Sequence, residues 1–246
     1  MPKSPADRRC PLFHSTYLQK RQPGTSYRDF QRLWRSHGDF AATVPAFWDN
    51  VVHYVHNDPL EDLTGFPGVT DEFDAVGELY YPSYETWASM RDVMLNEVAP
   101  DEARVFAGAP TSVRGHPKTY LPLTGLFKLF TLASFRDDDA RANAQALLDD
   151  HAGYTMGLEG FGGLLAGYAV TQAREADASV GVSGVAHMSS SRDVLFIHHF
   201  DNVEAAHSAM NSADYARLEL AQNKLFDWDS RILVMTRGWV LKGTIT

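Results

Sequence analysis

The chain of 246 residues contains a single cysteine, Cys10. An internal disulfide is therefore impossible, and a thiolate metal site would need other ligand types beside it. Long apolar runs are missing as well. No stretch approaches the ~18–20 residues of a membrane-spanning helix, so no membrane partner is expected. Basic residues are scarce: 22 Lys+Arg stand against 31 Asp+Glu, a formal charge of −9. An acidic surface repels phosphate backbones, which speaks against a nucleic-acid partner. The basic clusters are Arg8-Arg9, Lys20-Arg21 and Arg28/Arg32/Arg35, and the last reads as a solvated helix face. Met1-Pro2-Lys3-Ser4-Pro5 lacks the apolar core of a secretion signal. The expectation is a soluble, cytoplasmic protein of a reducing compartment.

What is present is an ordinary globular balance, 44% hydrophobic and 12% aromatic, enough to bury a core. The chain also repeats itself. Adding 114 to Leu12, Phe13, Leu33, His37 and Phe40 gives Leu126, Phe127, Leu147, His151 and Tyr154. The order of expected elements is the same in both copies. In the first, strand 12–20 is followed by a turn at Pro23-Gly24-Thr25. Ser26 with Asp29 then starts a helix. Phe30, Leu33, Trp34 and His37 lie at i, i+3, i+4 and i+7, on one face. Strands 51–57 and 73–81, a helix over 83–98 and a fourth strand around Tyr120 complete it. In the second copy, strand 126–135 precedes a helix opened by Asp137-Asp138-Asp139. Strands 162–172 and 194–200, a helix over 202–225 and strand 232–241 follow.

Both halves thus read β-α-β-β-α-β, the ferredoxin-like order. Packing the two bare sheets together gives an α+β pseudo-dimeric barrel of two ferredoxin-like repeats. The expected division is residues 1–122 and 123–246. Four prolines in 100–122 suit a last strand and linker.

Three segments carry a family resemblance. Ser26-Tyr27-Arg28-Asp29-Phe30 with Trp34 and Ser36-His37 resembles the first helix of the EthD-like branch of the dimeric α+β barrel superfamily. Val52-His53-Tyr54-Val55-His56-Asn57 resembles its second strand, and Phe73-Asp74-Ala75-Val76-Gly77-Glu78-Leu79-Tyr80 its third. The resemblance implies pockets between sheet and helices and commonly aromatic or phenolic substrates. Known activities in the superfamily include cofactor-free monooxygenation, polyketide cyclisation, decarboxylation, dehydration and lactone isomerisation.

Several residues can carry such chemistry. His37 ends the inward stripe of the first helix and titrates near neutrality, as a general base must. Glu78, buried on strand three, is expected to orient His37 or to act as an acid through a raised pKa. Strand period two puts Asp74, Val76, Glu78 and Tyr80 on one face. Tyr54 and His56 share a face and can hold a phenolate or carbonyl oxygen. His53 faces away from His56, so their HxxH spacing does not suggest a metal site. Trp34, Phe30, Tyr80 and Trp87 offer aromatic walls for a substrate. His198 is aligned with Glu78 in the second half. The glycines from Gly157 to Gly167 lack a dinucleotide-binding context, and Ser189-Ser190-Ser191 lacks a nucleophile elbow.

The expected activity is therefore cofactor-independent acid–base catalysis on a phenolic or polyketide-like molecule, with His37, Glu78, Tyr54 and His56 as the catalytic set. The expected type is a lyase, cyclase or decarboxylase. Three alternatives stand beside it: a cofactor-free monooxygenase, a haem enzyme of chlorite dismutase-like architecture with His151 on iron, and a non-catalytic small-molecule-binding barrel. Monomer and homodimer are both compatible with a fused barrel.

Overall fold

The computed structural model describes residues 12–174 and 190–243; Cys10 and Ser189 lie outside them. The first half runs β1 (Phe13–Arg21), α1 (Tyr27–Ala42), β2 (His53–Pro59), β3 (Ala75–Tyr81), α2 (Tyr84–Ser89), α3 (Ala99–Val105), β4 (Phe106–Gly115) and β5 (Pro117–Leu121). The second runs β6 (Phe127–Ala133), α4 (Ala144–Gly157), β7 (Gly167–Gln172), β8 (Val194–Phe200), α5 (Val203–Met210), α6 (Ala213–Leu225) and β9 (Ile232–Lys242). Every pairing among the described strands is antiparallel. The strand order is β4-β1-β3-β2-β9-β6-β8-β7-β5, which is fourth-first-third-second twice over, with β5, the continuation of the first half's fourth strand, at the far end.

His116 alone separates β4 from β5, so the two ends of the sheet belong to one run of chain. β4 pairs with β1, and β5 pairs with β7. Main-chain bonds from Arg174 N to the Arg114 carbonyl and from Ser191 N to the Ser112 carbonyl, both 2.8 Å, tie the ends further. The sheet therefore closes on itself and leaves no free edge there. Each half's fourth strand crosses to the other half's second: β9 to β2, and β5 to β7. The lumen is filled by Leu18, Val76 and Val113 from one half against Phe130, Leu132, Leu195, Ile197 and Val234 from the other.

The ladder fixes which residues of the two halves correspond. Thr16 pairs with Glu78, and Phe130, its repeat mate, pairs with Ile197. Tyr54 pairs with Leu79, and Tyr168 pairs with His198. Glu78 therefore corresponds to Ile197, Leu79 to His198 and Tyr54 to Tyr168. The sequence-level match of Glu78 with His198 is one residue out, and one residue on a strand is the opposite face.

Local chemistry explains most element boundaries. Ser26 caps α1, accepting from Asp29 N at 3.1 Å. The helix expected over 83–98 is instead broken into short pieces, with a π turn at Met94–Val98 before α3. Pro100 has no N–H to continue the i→i−4 ladder, which accounts for the restart at α3 after the π turn. The strand expected from Gly162 begins only at Gly167, after a tight turn at Gly162–Leu164. A Cβ on Gly162 would stand 2.3 Å from the Thr155 carbonyl. The helix expected over 202–225 divides at Asn211-Ser212, where Ser212 caps α6.

Candidate functional site

The candidate site lies on the helix-covered face of the first half's sheet. Gly77 prepares it. Its β1 partner is Tyr17 and its β2 partner is His56. A Cβ at Gly77 would fall 2.1 Å from the Tyr17 ring, so only glycine lets that ring lie across β3. The Tyr17 hydroxyl then stands 3.4 Å from that of Tyr54. Tyr54 is 2.8 Å from His56 Nε2, and His56 Nδ1 is 2.9 Å from Arg35 Nη1. Arg35 also pairs with Asp58.

The donors in this chain can be assigned. A guanidinium has no acceptor, so Arg35 donates to His56 Nδ1. His56 is then the neutral Nε2–H tautomer and donates to Tyr54. Burial first, and the Arg35 cation second, hold its pKa well below the ordinary value. Tyr54 passes its own proton toward the Tyr17 oxygen, leaving the Tyr17 O–H as the free terminal donor. Burial raises the pKa of both phenols, so both stay protonated. Trp34 stacks on His56 at 4.1 Å and 12°. Its Nε1–H is buried without a hydrogen-bond partner and favours negative charge on the Tyr17 oxygen. Phe30 and Phe106 pack against Trp34 and finish the apolar wall.

His37 projects from α1 into the same layer, edge-on to Phe106 at 6.0 Å. Its Nδ1 lies 2.8 Å from the Asp101 carboxylate, which Arg104 also holds. Nδ1–H therefore donates to Asp101, and Nε2 is the basic nitrogen. Burial lowers the His37 pKa, and the Asp101 hydrogen bond and charge partly restore it. The next residue on α3, Glu102, has a carboxyl pushed up to about 7 by burial, with Arg114 opposing and Asp101 adding to the rise. A base on α1 and a carboxyl of raised pKa on α3 thus flank the same Asp101 carboxylate. Tyr17, Asp101 and Glu102 were not found from the sequence. The signal for Tyr17 was its place opposite Gly77; α3 gave none.

The structure brings His37, Tyr54, His56, Trp34 and Phe30 together and places the other candidates elsewhere. Glu78 points into the barrel lumen, on the far side of the sheet from His37. It pairs with Lys128 of the second half and accepts from Asn57 Nδ2 at 2.9 Å and Tyr80 at 3.2 Å. Burial opposes its charge, but Lys128 and His14 outweigh that and hold the carboxyl down to about 2. The expected raised pKa and the expected contact with His37 are both absent; Asp101 holds His37, and the carboxyls of raised pKa are Glu102 and Asp58, each by burial first. Tyr80 is a lumen residue too, stacked on His14 at 4.2 Å. Asp74 precedes β3 and binds the Arg21 guanidinium and main chain at 2.7 and 2.8 Å. Trp87 packs on Phe13 and Tyr84 in the core. His198 belongs to the helix face of the second half, stacked on Tyr168.

Comparison with known proteins agrees with this architecture. Residues 22–109 match the EthD domain, a segment that contains the three stretches read as EthD-like from the sequence. A search of the curated proteins finds no match. Among solved structures, an anthrone oxidase-like protein superposes with a TM-score of 0.63 at 9% identity, covering 94% of this chain and 93% of its own. A candidate monooxygenase from Lactobacillus acidophilus NCFM gives 0.51 at 11% identity, covering 96% and 99%. A candidate chlorite dismutase gives 0.53 at 9%, covering 93% and 95%. At these identities the likeness is one of fold. The haem arrangement does not fit the residues here. The rings of Phe196 and Phe226 pack on His151 at 5.1 and 6.3 Å, within a core that includes Leu148 and Tyr168. A macrocycle needs that space.

Proposed function

We propose that the first half is a cofactor-independent acid–base enzyme acting on a phenolic or polyketide-like small molecule, of lyase, cyclase or decarboxylase type. The observation that carries the reading is the one-way donor chain Arg35–His56–Tyr54–Tyr17. Each donor polarises the next, so negative charge on an oxygen bound at Tyr17 is backed by a fixed cation in a low-dielectric layer. His37 Nε2 takes a proton from the activated carbon or hydroxyl. The enolate or phenolate oxygen so formed is held by Tyr17 O–H and Trp34 Nε1–H. Glu102, with its pKa near neutrality, returns a proton to the product.

A cofactor-free oxygenase would share the first step and pass the carbanion to O2. The fold likeness to the anthrone oxidase-like protein and the candidate monooxygenase favours that second reading. Anthrone, a carbon acid with a carbonyl and aromatic rings, serves as probe for both. Turnover by the wild type, with no flavin or metal added, is compared with that of His37→Ala. A loss of about 10²–10⁴-fold is expected for removal of the base. Dependence of turnover on O2 distinguishes the two readings. Equal activity of the variant rejects His37 as the base.

A further inference from the structure

We propose that the cleft between α1 and the end of β9 binds a small organic carboxylate with a flat apolar body, held by Arg28 and Arg32 against the indole of Trp239. The inference is separate from the chemistry assigned to the first half, although Arg35 borders both places. On periodicity, Arg28, Arg32 and Arg35 form a helix face turned to solvent. The structure sets them instead, with Asp39, Asp58 and Trp239, around a cleft of about 470 Å³, which is room for a small molecule. Trp239 comes from the last strand of the second half, so the cleft lies on the outside of the barrel where the two halves meet.

The three arginines are not equivalent. Arg35 is engaged: its guanidinium lies 5.2 Å from the ring centre of Trp34 and 5.6 Å from that of Trp239, donates to His56 and pairs with Asp58. Arg32 pairs with Asp29 of its own helix, and both of those side chains are exposed; such a pair is weak in water and is readily exchanged. Arg28 makes neither an ion pair nor a hydrogen bond among the described residues. It stands one turn from Arg32 on the same side of α1, so both guanidinium forks can reach one carboxylate. Charge selects that anion. Three guanidiniums and two carboxylates line the cleft, a surplus of one positive charge, which a monoanion cancels and a phosphate dianion would exceed. Asp39 does not cancel it at Arg28. Eleven residues of helix span about 16 Å, well beyond the ~8 Å over which exposed charges act at physiological salt. Trp239 supplies the surface for the body of the ligand. It pairs with His56 across β2 and β9, which sets its indole beside Arg35. The side chain is nevertheless 58% exposed, so a flat group can cover what Arg35 leaves open.

NMR titration of the 15N-labelled protein with sodium benzoate at low salt tests the site, with benzamide as the uncharged control of the same shape. Benzoate should shift the indole N–H of Trp239, assigned by its loss in Trp239→Phe, and, through Arg35, the Nδ1 resonance of His56. Benzamide should move neither. Arg28→Gln alters an exposed side chain and should weaken benzoate binding about 10–10²-fold, the loss of a hydrogen bond to a charged group. Arg32→Gln is the second variant and carries the same expectation. A Trp239 resonance unmoved by benzoate overturns the proposal. So does benzamide acting as well as benzoate, since charge would then not select the ligand. Equal affinity in wild type and both variants, with shifts at His37, would put benzoate in the first-half site and overturn it too. Inorganic phosphate binding more tightly than benzoate would mean a bare anion site with no place for an apolar body, which also contradicts it.

Discussion

At the residue scale, the site depends on tautomers fixed by neighbours that cannot accept. Arg35 sets His56, and His56 sets Tyr54. Tyr54→Phe should therefore cost more than a surface hydroxyl. It strands the buried Nε2–H of His56, a loss of about 1–3 kcal/mol readable in a denaturant titration. It also cuts the donor chain, so kcat should fall while the variant remains folded. Asp101→Asn keeps the shape but withdraws the charge that restores His37 basicity. The acidic limb of the pH–rate profile should move to lower pH, because His37 then gives up its proton more readily. An unmoved limb would mean that His37 is not the titrating base. His37, Tyr54, His56 and Trp34 were legible in the sequence because helix and strand periods place them on shared faces. Glu102 was not, since its raised pKa comes first from burial, against the opposing charge of Arg114, and only the fold supplies both.

At the element scale, β3 illustrates what a period can and cannot say. Alternation correctly separates Glu78 from Gly77, but it does not say which face meets the helices. Glu78 was therefore assigned to the wrong compartment. Gly77 is the more informative residue, because its missing side chain is where Tyr17 lies. Gly77→Ala should displace that ring, with overpacking of about 1–3 kcal/mol in a thermal or denaturant melt and a loss of turnover beyond the stability effect. A variant with wild-type kcat would dissociate Tyr17 from the chemistry. The second helix of the first half was read as continuous because its apolar spacing is helical. Pro100 interrupts the hydrogen-bond ladder instead, and the resulting shift sets Asp101 and Glu102 at the site.

At the scale of the whole molecule, the repeat was legible because Leu12, His37 and their mates recur at one spacing. Closure through a single run of chain from β4 into β5 was not, since it depends on pairings between distant strands. The lumen joins the halves through Glu78 and Lys128, both buried. Lys128→Met leaves a buried carboxylate unpaired and should cost about 3–5 kcal/mol, largely recovered in the double variant with Glu78→Leu, as a double-mutant cycle would read. Acid should loosen the barrel. His14, His151 and His199 have pKa values lowered to about 4 and His198 to about 3, in each case first by burial. Each binds its proton less tightly folded than unfolded, so stability is full above about pH 6.5 and falls as pH drops toward 4. Denaturation midpoints at stepped pH check this; a flat profile would contradict it. The central claim, that the first half makes and holds a carbanion without a cofactor, is tested most directly by hydrogen–deuterium exchange at the acidic carbon of anthrone in D2O without oxygen. The account predicts exchange faster than buffer for the wild type and its loss in His37→Ala and Tyr17→Phe. Exchange at the buffer rate by wild type, or undiminished exchange in both variants, would contradict it.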